Sequence, residues 1–372
     1  MKLKPFELER YFSKYEFKVK HLLSCSDCEP YALSDLLECA DDEARYLWQN
    51  LKLSYTESQG NPLLLDEITK LYKGIDKSNI LHIIPEEGIY IAMRSLISKG
   101  DHIISMHPCY QSLEEIAFSQ GAAVDRWNAV YDGGWKFDVD RLDAMCTQST
   151  RMIIINVPHN PTGFMFTKEE FDRVVGIAKK NDCILFCDEM YRFLEFAKSH
   201  RLPSACEVYY NAISLCGLSK SFAMPGLRSG WLISKNHLFM DMFKTYKDYT
   251  TICASAPSEV LSIMALRQME KIIERNLAII NKNLNMLDIF GQKYSSIIEY
   301  QRPTAGSICM PVLSDDINID VLAKNLIDEK SLMILPSTVY NIETNGFRLG
   351  FGRAGFIDSL NILDEYMERF LA

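Results

Sequence analysis

The sequence has no long apolar run and no block of basic residues. None of its hydrophobic stretches approaches the roughly 20 residues that a membrane-spanning helix needs, and residues 1–12 lack the apolar core of a signal peptide. Lysine and arginine total 40 against 49 acidic residues, giving a formal net charge of −9. We therefore expect a cytoplasmic protein whose partners are neither nucleic acid nor membrane.

A paired cysteine framework is also missing. The 11 cysteines are scattered and odd in number, which indicates reduced thiols in the cytoplasm. One C-x-x-C motif occurs at Cys25 and Cys28, but a structural zinc site needs two further ligands and no second pair lies nearby. The 7 histidines are dispersed. We therefore expect no metal site.

The chain does contain short apolar runs that alternate with amphipathic segments from about residue 79 onward. The runs at 152–157, 183–187 and 212–216 are too short for buried helices, and turn residues bound them, as is typical of central parallel strands. Between the first two runs, Thr167 and Glu170 form a capping-box pattern that predicts the start of a helix. This alternation predicts an α/β fold whose ligand lies at the carboxyl ends of the strands.

A length of 372 residues suits two packed domains. Residues 257–287 show a long helical pattern, and strand patterns follow at 305–311 and 346–351. We predict a large domain over residues 43–261, with a mostly parallel central sheet between helices. A smaller α+β domain would combine residues 1–42 and 262–372.

Lys220 lies in a segment that follows one of the predicted strands. Apolar residues around it would disfavour its charged form and leave a neutral amine for Schiff-base formation with a carbonyl. Ser219 precedes it, and Arg228, eight residues further on, offers a donor fork suited to a phosphate. A solvated surface loop is the alternative interpretation of this segment alone.

Four motifs in order strengthen the first interpretation. They are His159–Gly163 (HNPTG), Asp188–Tyr191 (DEMY), Ser219–Trp231 (SKSFAMPGLRSGW) and Gly346–Phe351 (GFRLGF). Together they resemble the class I/II aminotransferase family, which depends on pyridoxal 5′-phosphate (PLP) and has the aspartate aminotransferase fold (fold type I). Within that family, the motifs are most similar to a branch that includes capreomycidine synthase.

The resemblance implies an enzyme that transfers the amino group of an L-amino acid to a 2-oxo acid, with PLP held by Lys220 as an internal aldimine. Asp188 would keep the pyridine nitrogen protonated, so that the ring can act as an electron sink. Asn160 and Tyr191 would donate to the ring hydroxyl, and Tyr110 would stack on the ring. Lys220, Asp188 and Tyr191 are thus the expected catalytic residues.

The same resemblance implies that Ser219 and Arg228 bind the phosphate. Tyr55 would reach the phosphate of a neighbouring subunit, which implies a homodimer with a composite active site. Two positions depart from the family. Residues 84–88 read Ile-Pro-Glu-Glu-Gly where the family commonly has a turn rich in glycine, serine and alanine, and Gly217 stands where a serine or threonine is common. We expect the backbone N–H groups of Glu87 and Gly88 to donate there.

Arg348 matches the arginine that binds the substrate carboxylate, with Asn160 beside it. Strand alternation would place Arg353 on the opposite face, where an ion pair is expected. Two other functions remain open. One is a PLP-dependent lyase or cyclase acting on an arginine-like amino acid, whose side chain would pair with an acid of the N-terminal segment. The candidate acids are Glu16, Asp27 and Glu29. The other is a binding or regulatory protein that has lost catalysis, which the complete set of site residues opposes.

Overall fold

The structure, a computed structural model, describes residues 2–371, which form fourteen α-helices and sixteen β-strands. The helices are α1 (Glu7–Tyr15), α2 (Leu33–Glu38), α3 (Asp42–Gln49), α4 (Pro62–Thr69), α5 (Pro85–Leu96), α6 (Ser112–Gln120), α7 (Val139–Met145), α8 (Lys168–Lys180), α9 (Ala205–Val208), α10 (His237–Lys247), α11 (Ala256–Arg267), α12 (Met269–Lys293), α13 (Ile319–Lys330) and α14 (Phe356–Met367). The strands are β1 (His21–Leu22), β2 (Ile80–Ile83), β3 (His102–His107), β4 (Ala123–Asn128), β5 (Val130–Tyr131), β6 (Trp135–Lys136), β7 (Thr150–Asn156), β8 (Ile184–Asp188), β9 (Ala212–Gly217), β10 (Gly230–Ile233), β11 (Ile298–Glu299), β12 (Ile308–Cys309), β13 (Val312–Leu313), β14 (Leu332–Met333), β15 (Leu335–Pro336) and β16 (Phe347–Gly350).

A seven-stranded sheet in the order β2-β10-β9-β8-β7-β3-β4 forms the centre of the fold. The three apolar runs recognised in the sequence are its neighbouring parallel strands β7, β8 and β9. Strand β10 runs antiparallel to both of its neighbours. The α/β fold with a mostly parallel central sheet is therefore confirmed.

Helices cover both faces of this sheet because its central strands are apolar on both faces. On β7, Met152 and Ile154 belong to a buried cluster that includes residues of α5 and α6. The alternating Ile153 and Ile155 belong to a second cluster with residues of α7 and α8. The strand period of two thus divides one apolar run between two layers of core.

Helix α8 begins as the capping pattern predicts. Glu170 N–H donates to Thr167 Oγ1 at 3.2 Å, and Thr167 N–H donates to Glu170 Oε2 at 2.8 Å. The helical pattern of residues 257–287 instead forms two helices, α11 and α12, which meet at Gln268. Helix α11 packs against α3 and α4, whereas α12 packs against α14. The break at Gln268 therefore allows the two helices to pack against different parts of the core.

The C-terminal strands form small separate sheets. Strands β12, β16 and β15 make one antiparallel sheet, and β1 from the N-terminal segment pairs with β14. The N-terminal segment therefore packs beside the C-terminal part of the chain. The exact division into residues 43–261 and the two flanking segments remains a prediction.

No helix within residues 2–371 combines the length and the apolar character that crossing a bilayer would require.

Candidate active site

A cavity of about 710 Å³ opens at the carboxyl ends of β8 and β9. Asp188 is the last residue of β8, and Ser219 and Lys220 follow the end of β9. Residues of helix α1 and of the segment around Ser26 also line the cavity, as does Arg348 of β16. Because parallel strands end at one edge of the sheet, side chains far apart in sequence meet there.

The predicted site residues fall into two groups around this cavity. The ring side consists of Asn160, Asp188, Tyr191, Lys220 and Arg348, all of which line the cavity. The phosphate side consists of Ser219, Arg228 and the first turn of α5, from which Pro85 and Glu86 reach the cavity. Tyr110 also lines the cavity and donates its hydroxyl to Glu9 Oε1 of α1 at 2.8 Å.

The Lys220 amine donates to the Ser26 hydroxyl at 2.8 Å. Burial lowers the pKa of Lys220, the Asp27 carboxylate opposes that shift, and the Arg348 cation adds to it. The downward shift is in the direction that makes the neutral, nucleophilic amine easier to reach. The sequence patterns did not single out Ser26, because it lies 194 residues away and belongs to no motif.

Asp188 is buried, and its Oδ1 accepts the Met190 N–H at 3.1 Å. Burial raises the pKa of Asp188 to about 7, while that N–H and the Lys220 cation act in the opposite direction. A cation beside this carboxylate would restore its ionised form. The neighbouring Glu189 points away and accepts from the hydroxyls of Ser204 and Ser214, both at 2.8 Å.

Arg348 is 2% exposed and is held by three acceptors. Nη1 donates to Asn160 Oδ1 at 3.0 Å and to the Tyr340 hydroxyl at 2.7 Å, and Nη2 donates to the Ser24 carbonyl at 2.6 Å. Nε is buried and has no hydrogen-bond partner among residues 2–371. The guanidinium is therefore fixed in place and still has a donor to offer. Sequence patterns did not identify Tyr340, which ends a short 3-10 helix (Ser337–Tyr340) before β16.

The expectation that Arg353 lies on the opposite face from Arg348 is wrong. Strand β16 ends at Gly350, so its alternation does not extend to Arg353, and both arginines line the same cavity. Arg353 donates from Nε and Nη2 to the two oxygens of Asp27, both at 3.0 Å. Its charge is thus balanced within the chain.

The phosphate side has the features of an anion site. The Arg228 guanidinium forms no ion pair within the described chain, although its Nη1 donates to the Pro225 carbonyl at 3.0 Å. The Ser219 hydroxyl is buried with no hydrogen-bond partner among those residues, an arrangement that costs about 1–3 kcal/mol. A phosphate at the start of α5 would meet both groups and the positive end of the helix dipole.

The expected donation from Gly88 is wrong. Its N–H donates to the Ile84 carbonyl at 2.9 Å, as the first hydrogen bond of α5. Pro85 has no N–H. The N–H groups at the start of α5 that have no partner within the helix are therefore those of Glu86 and Glu87. The Glu87 side chain turns away from the cavity and accepts from the hydroxyls of Thr250 and Thr251.

Gly217 departs from the family for a steric reason. A Cβ atom at this position would lie 2.8 Å from the Ser229 carbonyl oxygen and 2.9 Å from the Gly230 Cα. Both contacts belong to the backbone of the adjoining chain segment, which cannot easily move. The close approach of β9 and β10 therefore excludes a phosphate-binding serine or threonine at Gly217.

The ring side matches PLP as well. The Tyr191 hydroxyl is buried and has no hydrogen-bond partner of acceptable geometry among the described residues. The polar side chain near it is that of Ser26. Asn160 directs its amide oxygen to Arg348, so its amide nitrogen is the group left to donate towards a ring hydroxyl. Tyr55 is 87% exposed and does not line this cavity within its own chain.

Cys25 and Cys28 are buried free thiols that lie in no metal-binding set within the described chain. The tertiary structure does bring together potential ligand atoms of His107, Cys109 and Glu114, within 4.8 Å of one another. Glu114 already accepts two N–H bonds from Arg126, which balances its charge. We interpret this set as part of a buried ion-pair network.

The family model described as "Aminotransferase class I and II" matches residues 33–358. The solved structure of a PLP-dependent aminotransferase from Streptococcus suis superposes with a TM-score of 0.93 at 30% identity, over 100% of this chain and 99% of that one. An aspartate aminotransferase of Sulfolobus acidocaldarius is 24% identical over 88% of this chain and 84% of its own length. Capreomycidine synthase of Streptomyces vinaceus is 24% identical over 71% of this chain and 67% of its own length.

Proposed function

Because the chain belongs to the class I and II aminotransferase family and is a PLP-dependent aminotransferase, we propose that it transfers the amino group of an L-amino acid to a 2-oxo acid, with Lys220 holding the cofactor covalently. The observation that carries this proposal is the single cavity that gathers Lys220, Asp188 and Arg348. These side chains supply the amine, the carboxylate and the guanidinium that the reaction needs.

Asp188 has the role of holding a proton at the pyridine nitrogen of the cofactor. When bound, PLP supplies an electron sink for the charge that develops at the substrate Cα. The buried Asp188 carboxylate gains a cationic partner in this arrangement, which offsets the cost of its burial. Tyr191 and the amide nitrogen of Asn160 would donate to the ring hydroxyl, and Tyr110 would lie against the ring.

Lys220 is the proposed base that removes the Cα proton of the substrate and later returns a proton. A base must be neutral to accept a proton, and burial lowers the pKa of this amine. The Ser26 hydroxyl, 2.8 Å from Nζ, fixes the direction of the amine once it is released from the cofactor. Ser26 is therefore a positioning residue for this base.

Arg348 is the proposed partner of the substrate carboxylate. Its guanidinium is oriented by Asn160, Tyr340 and Ser24, which removes much of the entropy that ordering a flexible side chain would cost. A carboxylate meeting Nε and the second N–H of Nη2 would accept two charge-assisted hydrogen bonds. Binding the carboxylate here would bring the Cα towards Lys220.

The enzyme is proposed to work as a homodimer in the cytoplasm. The exposed Tyr55 supports a composite site, because an aromatic ring that is 87% exposed in one chain can be covered by a second chain. All eleven cysteines are free thiols, as expected for a reducing compartment.

A PLP-dependent cyclase or lyase acting on an arginine-like amino acid is the second candidate. Of the three acids named for a cationic side chain, Asp27 is committed to Arg353, and Glu29 accepts the Ala354 N–H at 2.8 Å. Glu16 lines the cavity and forms no ion pair within the described chain. Glu16 is therefore the acid available to pair with a cationic substrate side chain, and this favours the second candidate.

Absorbance spectroscopy and product analysis test the proposal. The enzyme reconstituted with PLP should show a visible absorbance band that Lys220→Ala lacks. A panel of amino acids with 2-oxoglutarate as acceptor should then yield glutamate. Absence of the band in the wild-type enzyme would overturn the role of Lys220. Release of ammonia without an acceptor, or a cyclic product, would favour the second candidate.

A further inference from the structure

The phosphate side of the cavity contains a carboxylic acid, Glu86. It is the second residue of α5, and it lines the cavity together with Ser219, Lys220 and Arg228. Its Oε2 accepts a hydrogen bond from Ser112 Oγ at 3.2 Å. No cation forms an ion pair with Glu86 within residues 2–371. An acid therefore stands where an anion is expected to bind.

The anion site itself rests on three independent features. Arg228 has no carboxylate partner in the described chain, the Ser219 hydroxyl is buried without a hydrogen bond there, and the 12-residue helix α5 begins at the cavity. An ionised Glu86 would oppose a phosphate dianion in this site, because like charges repel strongly where water is largely excluded. A protonated Glu86 would instead offer an O–H donor.

The surroundings of Glu86 keep a substantial share of the acid protonated near neutral pH. The charged or titratable groups that face it are Glu9 of α1, Tyr110 before α6, Asp188 of β8 and Arg228. Burial is the largest cause that raises the pKa of Glu86 to about 7, and Glu9 and Asp188 contribute to this rise. The Ser112 hydroxyl and Arg228 act in the opposite direction. A phosphate would add to the negative charge around the acid and favour its protonated form further.

We propose that Glu86 is a cofactor-binding residue that acts in its protonated form, donating a hydrogen bond to the phosphate of PLP. This inference rests on PLP occupying the cavity as in the proposed function. It explains how α5 can carry a glutamate at the phosphate side without repelling the cofactor. Binding then requires a proton on Glu86, so cofactor affinity is full below pH 7. Above that pH it falls by about tenfold per unit.

The test uses pyridoxine 5′-phosphate, whose alcohol in place of the aldehyde prevents a covalent bond to Lys220. Its Kd is measured by fluorescence titration between pH 6 and 9 on the full chain freed of PLP, for the wild type and Glu86→Gln. The probe's own phosphate is a dianion above about pH 7. We expect the wild-type Kd to rise about tenfold between pH 7.5 and 8.5, and that of the Gln variant to change less than twofold.

Proton uptake gives a second readout that does not depend on affinity. Calorimetry at pH 8 in two buffers of different ionisation enthalpy should show the wild type taking up close to one proton more than Glu86→Gln on binding. The matched control is Glu115→Gln. Glu115 accepts the Lys4 N–H at 3.0 Å and lines an adjoining apolar cavity instead of the main one, so this variant should follow the wild-type profile.

Parallel pH profiles for the wild type and Glu86→Gln, with equal proton uptake, would overturn the inference. Loss of binding at every pH in the Gln variant alone would also overturn it, because an amide retains a donor. If neither protein binds the probe at any pH while both remain folded by circular dichroism, the cavity is not the cofactor site. That outcome would refute the proposed function and not the role of Glu86 alone.

Discussion

The ring side and the phosphate side of the cavity differ in how their polar groups are satisfied. On the ring side, Arg348 has three acceptors, Asp188 accepts a backbone N–H, and Lys220 donates to Ser26. On the phosphate side, the Arg228 cation forms no ion pair within residues 2–371 and donates to the Pro225 carbonyl, and the Ser219 hydroxyl has no hydrogen-bond partner there. The charged groups of the ring side are therefore oriented before anything binds, whereas the phosphate side leaves a cation without a counter-charge and a hydroxyl without a partner for an anion.

This difference follows from what each side must do. The ring side has to hold a reacting carbon near an amine, and small displacements of reacting groups cost large factors in rate. The phosphate side only anchors a charged group, which several arrangements of donors can achieve. It can therefore accommodate Glu86 and Gly217, both of which depart from the family pattern.

The largest effect is expected from breaking the ring side at Arg348. Arg348→Lys keeps the charge but cannot satisfy Asn160, Tyr340 and the Ser24 carbonyl while also binding a carboxylate in two places. We expect kcat/KM to fall by about 10²–10³-fold, mainly through KM. Steady-state kinetics with the best amino acid from the panel would measure this.

Arg353→Lys is the matched control, because Arg353 lines the same cavity but is already paired with Asp27. Its effect should be at least tenfold smaller than that of Arg348→Lys. Equal losses in the two variants would contradict the assignment of the substrate carboxylate to Arg348.

A smaller effect, on stability, is expected from restoring the family's residue type on the phosphate side. Gly217→Ser would force a Cβ atom against the backbone of Ser229 and Gly230. We expect the free energy of unfolding to fall by about 1–3 kcal/mol, as for other overpacked sites. Denaturant unfolding of the PLP-free protein would measure it.

Gly226→Ser controls for the exchange of residue type, because a Cβ atom there has no neighbour within 4 Å. Its stability should change by less than about 0.5 kcal/mol. If Gly217→Ser were as stable as the wild type and bound PLP more tightly, steric exclusion would not explain why position 217 is a glycine.

The smallest effect is expected from Ser26→Ala, which removes the hydrogen bond that Lys220 makes on the ring side. Loss of the hydrogen bond should reduce kcat by roughly twofold to tenfold, in line with a net bond energy of about 0.5–1.5 kcal/mol. Because Ser26 accepts from the Lys220 amine, its removal should also lower the pKa of Lys220. The pH profile of PLP reattachment to the PLP-free enzyme should therefore shift to lower pH.

Ser26→Thr retains the hydroxyl and should retain the wild-type profile. An unchanged profile in Ser26→Ala, together with unchanged kcat, would show that the contact with Lys220 has no functional role.

Local patterns in the sequence were sufficient to predict the elements that carry the chemistry. The runs that became β7, β8 and β9 are mostly apolar without alternation, which is typical of strands buried on both faces. The capping box of Thr167 and Glu170 predicts a helix start because both of its hydrogen bonds join residues of one four-residue segment. Such features depend on neighbouring residues alone.

Contacts between distant segments could not be predicted in this way. Ser26 reaches Lys220 because β1 pairs with β14 and thereby carries the following segment to the edge of the cavity. The face of Arg353 was predicted wrongly because the end of β16 depends on its neighbours in the sheet. The donor role expected for Gly88 failed because α5 begins at Pro85 and uses that N–H itself.

The sequence by itself determined the α/β fold, the family and the residue types of the ring side, since these are encoded in short motifs and in apolar periodicity. Only the tertiary structure decided which donors remain open at the phosphate side, why Gly217 cannot carry a side chain, and that Glu86 faces the cavity. The physical reason is that hydrogen-bond satisfaction, close approach of backbones and desolvation depend on segments that meet only after folding.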